Sequence, residues 1–65
     1  GMVDVNFRDS KERKIQVMNQ LGQTVFQKNH ITESKYTFNL NVPEGIYIIE
    51  IYTNKLKKQF KVIKQ

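Results

Sequence analysis

His30 is the only imidazole in the sequence, so it cannot join a second histidine as a metal ligand, and no serine, aspartate or glutamate neighbour marks it as a general base. It reads as a solvated loop side chain. The carboxylates Asp4, Asp9, Glu12, Glu33, Glu44 and Glu50 are scattered, with no spacing suited to calcium or to paired acid/base work. Glu50 stands apart because isoleucines and tyrosines surround it. Such a carboxylate must either pair with a basic residue of a neighbouring strand or emerge at a wet face. Cysteine is absent, which removes thiolate metal sites and disulfides together. The glycines at 1, 22 and 45 are too far apart to form a phosphate loop. No catalytic set, metal or cofactor is expected, and the chain reads as non-enzymatic.

The remaining chemistry is aromatic and cationic. Phe7, Phe26, Tyr36, Phe38, Tyr47, Tyr52 and Phe60 make up 11% of the residues. Beside lysines they suggest a stacking platform for single-stranded nucleic acid. Most of them fall on faces assigned below to the core, and only Phe26 and Tyr52 are left for a surface. The net charge is +5, from 11 Lys and Arg against 6 Asp and Glu, and Lys55, Lys57, Lys58, Lys61 and Lys64 fall close together at the end of the sequence. That cluster attracts phosphates or acidic surfaces over about a Debye length. The simpler reading is an edge strand that uses lysine to repel edge-to-edge pairing. Nucleic acid is therefore disfavoured as a partner.

The elements that position these residues alternate with period two, and no window sustains helical spacing. Val3, Val5 and Phe7 alternate with Asp4, Asn6 and Arg8 as a first strand. Asp9 to Glu12 reads as a turn. Ile15, Val17 and Leu21 mark an inward face, and Gly22 permits a tight reversal into Thr24–Gln27, forming a hairpin. Asn29 to Lys35, polar apart from Ile31, reads as the longest loop. Tyr36, Phe38, Leu40 and Val42 form the clearest half-buried strand, and Pro43-Glu44-Gly45 ends it in a turn. Ile46 to Tyr52 is apolar on both faces except at Glu50, as expected of a covered or central strand. Asn54-Lys55 turns the chain into Leu56 to Ile63, where Lys58 interrupts the face of Leu56, Phe60 and Val62 and suggests a bulge or frayed edge.

Six short strands in 65 residues give one all-β domain over 2–65, arranged as a sandwich or partly open barrel with a thin stability margin. Gly1 ahead of Met2 reads as a remnant of tag removal, which would make this a piece of a longer protein. No run approaches the roughly 18 apolar residues that span a bilayer, and the start lacks the pattern of a secretory signal. Membrane insertion is not expected.

Ile15-x-Val17, Leu21-Gly22-Gln23-x-Val25, Leu40-x-Val42-Pro43-x-Gly45-x-Tyr47 and the lysine-rich end together resemble the C-terminal sorting domain of the type nine (Por) secretion system of Bacteroidetes. The resemblance covers nearly the whole chain. It implies a small immunoglobulin-like antiparallel β-sandwich of about six strands at the end of an exported protein. Such a domain directs its cargo across the outer membrane and is commonly removed afterwards. By the same resemblance, Gly22, Pro43, Gly45 and Tyr47 are structural, while the segment from Lys57 to Gln65, with Lys57, Lys58, Lys61 and Lys64, is recognised by the secretion machinery or another surface protein. Localisation would be secreted or cell surface. The Pro-Asn-Pro strand that usually opens the family is absent from this sequence, and an open sandwich could complete itself by an edge-strand dimer. The alternative is a stand-alone immunoglobulin-like module that binds a glycan or protein through Phe26 and Tyr52.

Overall fold

The computed structural model describes residues 1–8 and 11–65. Six strands follow in order: β1 Met2–Asn6, β2 Arg13–Met18, β3 Thr24–Ile31, β4 Lys35–Asn39, β5 Gly45–Tyr52 and β6 Lys57–Lys64. They form two antiparallel sheets, one of order β3-β2-β5-β6 and one that pairs β1 with β4. The fold is a small all-β sandwich. The turn expected at Asp9 to Glu12 begins at Asp9 and Ser10, which lie outside the described residues.

The alternation in the sequence becomes the core. Ile15 pairs with Ile51 and Val17 with Ile49 across β2 and β5, so their side chains share the inner face. Tyr47, Ile31, Phe38 and Leu40 complete the buried set, with Val3, Val5 and Phe7 resting against it from the smaller sheet. The central position expected for Ile46–Tyr52 is what β5 occupies, between β2 and β6.

The β2–β3 hairpin closes at Asn19–Gln23. Asn19 N–H donates to the Gln23 carbonyl at 2.9 Å and Gly22 N–H to the Asn19 carbonyl at 3.0 Å. Gly22 takes φ +83°, which a side chain would oppose. The Asn19 side-chain oxygen accepts from the N–H groups of Leu21 and Gln23, both at 3.0 Å, so the loop satisfies its own donors. Leu21, expected inward, is 83% exposed because it rides the tip of this loop beyond the last strand pair.

Two further expectations change. The proposed loop from Asn29 is in part strand, since β3 runs on to Ile31. Arg13 pairs with Ile31 but Ile15 pairs with Lys28, so β3 carries one extra residue here, and His30 absorbs it at φ +57°. Lys58, in contrast, marks no bulge: β6 pairs with β5 in unbroken register from Gly45↔Lys64 to Tyr52↔Lys57. Its polar side chain stands on the inner face, where it is exposed.

Candidate recognition surface

β6 is the outer strand of the larger sheet, so one rim of its main chain has no strand partner among the described residues. Its eight residues span about 26 Å and put lysines on both faces. Register assigns Lys57 and Lys61 to the outer face, beside Tyr52 and Ile48, and Lys58 and Lys64 to the inner face, beside Ile51 and Gly45. The four lysines expected to act together therefore have different surroundings.

Lys57 Nζ lies 3.4 Å from Glu50 Oε2. Tyr52 donates its hydroxyl hydrogen to Glu50 Oε1 at 2.5 Å. The buried carboxylate thus has a strand-neighbour cation, as its apolar surroundings demanded, and a phenol that the sequence did not reveal. The Tyr52 hydrogen bond holds the Glu50 carboxyl below its ordinary range. Burial opposes this, and Lys57 adds to it. The same hydrogen bond, with burial, raises the Tyr52 hydroxyl.

Lys64 is tied into the fold. Its ammonium donates to the carbonyls of Leu40 at 2.9 Å and Val42 at 2.7 Å, fastening β6 to the crossover between β4 and β5. Lys58 and Lys61 are exposed. The turn residues carried over from the resemblance meet at the other end of that crossover. Tyr47, buried, donates its hydroxyl hydrogen to the Pro43 carbonyl at 2.6 Å. Its ring lies 3.7 Å from where a side chain on Gly45 would begin.

His30 is exposed, as a solvated histidine should be, yet its Nδ1 lies 2.9 Å from Glu12 Oε2, a partner that folding brings from 18 residues away. Among the described residues no group of three His, Cys, Asp or Glu side chains gathers as a metal site. Phe26 and Tyr52 do not form a platform. Phe26 stacks on Phe38 at 4.4 Å between the sheets, whereas Tyr52 stands on the opposite face with Glu50.

Sequence reasoning passed over Arg13, although its place two residues before Ile15 put it on the inner face of β2. Its guanidinium stands 4.1 Å over the Phe7 ring. With Arg8, Lys11 and Lys58 it borders a groove of about 370 Å³ between β1 and β6.

Six strands in two antiparallel sheets, with turns that satisfy their own donors, put the chain in the class of small all-β sandwiches. More particularly, the family described as the secretion system C-terminal sorting domain matches residues 1–65, the whole chain, and the chain belongs to that family. Searches of curated proteins and of solved structures find no match. Membership makes this a sorting-signal domain of the kind carried by secreted or cell-surface proteins, and it implies contact with secretion machinery.

Proposed function

We propose that the sorting signal is read from the exposed surface of β6, its unpaired edge and its lysines, by a protein of the export machinery. Family membership over the full chain carries this reading, and the position of β6 as an outer strand with Lys58 and Lys61 exposed supports it. A partner strand added along β6 would draw affinity from main-chain hydrogen bonds, while the lysines would select an acidic neighbour. Within the lysine row, Lys58 and Lys61 are the contacts. Lys57 and Lys64 hold Glu50 and the β4–β5 crossover in place. Two copies joined through this edge would bring two basic strands together, which favours a foreign strand over a dimer.

Fusion of residues 2–65 to a periplasmic reporter in a Bacteroidetes host that carries the secretion system tests the proposal. The reporter is expected at the cell surface or in the medium, and the double variant Lys58→Glu with Lys61→Glu is expected to hold it back. Retention of the unaltered fusion in the periplasm would overturn the sorting role. Normal export of the double variant would overturn the assignment to the lysines.

A further inference from the structure

The smaller sheet has two strands and the larger has four, so the cover is incomplete. Phe38 of β4 stacks on Phe26 of β3 with ring planes 8° apart, which sets the small sheet toward the β3 side. The inner face of β6 is covered at Val62 but open toward the start of the strand, where Phe60 is 49% exposed and Leu56, just ahead of β6, is 66% exposed. Between that face and β1 lies the groove of about 370 Å³, with Ile51, Val5 and Phe7 on its lining. The volume falls at the low end for ligand clefts.

The edge of β1 along this groove has hydrogen-bonding capacity to spare. Leu40 N–H donates to the Gly1 carbonyl at 2.8 Å and Phe7 N–H to the Ser34 carbonyl at 2.7 Å, so the odd-numbered residues of β1 exchange main-chain bonds with β4. In an antiparallel ladder the alternate residues, here Met2, Asp4 and Asn6, then direct their N–H and C=O groups away from β4. An unpaired strand edge beside an apolar trough fits another strand.

Charge selects which strand. Arg8, Lys11, Arg13 and Lys58 line the groove, and no carboxylate appears among its described lining residues. Arg13 is held in place by the Phe7 ring and by donation to the Lys11 carbonyl at 2.9 Å. A second copy of a chain with net charge +5 meets repulsion there.

We infer that this groove is a docking site for an extended, acidic segment of a partner protein. The segment adds to the free edge of β1, lays alternate apolar side chains on Leu56 and Phe60, and carries its carboxylates on the side of Arg8, within the field of Arg8 and Lys58. A stretch matching the five residues of β1 spans about 17 Å. This site lies across the inner flank of β6 and is separate from Lys61 on the outer face.

A fluorescein-labelled peptide that alternates valine with glutamate is the probe, and its valine–lysine counterpart is the control. Fluorescence anisotropy with the full chain is expected to show saturable binding of the acidic peptide alone. Binding should weaken by about tenfold in Phe60→Ser and in Lys58→Glu, and stay unchanged in Lys28→Glu, a charge-matched change on β3. Leu56→Ser provides a second, more exposed probe of the trough should Phe60→Ser unfold. Slowed amide exchange at Met2, Asp4 and Asn6 in the complex places the peptide on β1. Absence of binding, equal binding of both peptides, or protection at β6 in place of β1 would overturn the inference. The reporter fusion reads export independently, so the failure of one leaves the other standing.

Discussion

Replacing Lys64 with methionine keeps the length of the side chain and removes its ammonium, which separates a tether from a recognition residue. In the fold that ammonium makes two hydrogen bonds, to the Leu40 carbonyl at 2.9 Å and the Val42 carbonyl at 2.7 Å. Leu40 retains a second donor, the main-chain nitrogen of Gly1 at 3.2 Å. The Val42 carbonyl must turn to water. Hydrogen bonds from a charged donor contribute about 1.5–3 kcal/mol in buried settings. Because the site is only half-buried and one acceptor stays satisfied, Lys64→Met should cost about 1–2 kcal/mol. For a domain of this size that lowers the melting midpoint by roughly 4–16 °C. Lys61→Met, on an exposed side chain, should stay within about 0.5 kcal/mol of the unaltered chain. Urea denaturation followed by circular dichroism gives both values, with the slope used to check that the transition remains two-state. Equal stability of the two variants would refute the tether, and Lys64 would return to the recognition row.

Ile31→Ala should cost about 2–5 kcal/mol, since Ile31 is only 1% exposed, and a loss under about 1 kcal/mol by the same urea titration would return residues 29–31 to a loop. The Glu50 pair makes stability depend on pH at both ends. The Glu50 carboxyl sits below its unfolded value of about 4.3, so its contribution is complete above that value and is lost as pH falls through the folded one. The Tyr52 hydroxyl sits above its unfolded value of about 10, so its contribution is complete below that value and is lost as pH rises through the folded one. Urea midpoints measured from neutral to acid pH should fall more steeply for the unaltered chain than for Glu50→Gln, and parallel curves would refute the coupling.

Much of the core was legible because Ile15, Val17, Phe38 and Leu40 obey an alternation that needs no knowledge of the partner strand, while Tyr47, Ile49 and Ile51 lie in a run apolar on both faces, which marked the strand as central without telling its two faces apart. Ile31 escaped for a physical reason. Counting by twos from Phe26, which faces the core, reaches residues 28 and 30, and the extra residue at His30 reverses the parity so that 31 turns inward. Leu21 was misplaced because its hydrophobicity says nothing about a loop that closes on Asn19. The Glu50–Lys57 pair could be anticipated, since a buried carboxylate requires a cation and β6 is rich in them. The separation of Lys64 from Lys61 could not, because its acceptors are 24 and 22 residues away and belong to a crossover whose path depends on the whole sandwich.

Lys58 and Phe60 show how the shortage of strands creates the surface. Their alternation in β6 is regular, and on that pattern alone Phe60 belongs in the core. Whether it gets there depends on how far the opposite sheet extends, and two strands cannot cover four. The uncovered flank would be an aggregation hazard in a neutral chain, since an open edge beside bare Leu56 and Phe60 invites another strand. Lys58 on that flank and Lys61 on the face behind it oppose pairing between like chains while leaving an acidic strand free to approach. The charge that would keep copies of this domain apart is thus the same charge that would select its partner. On the proposed reading, protection from self-association and recognition would be two consequences of one arrangement of β6.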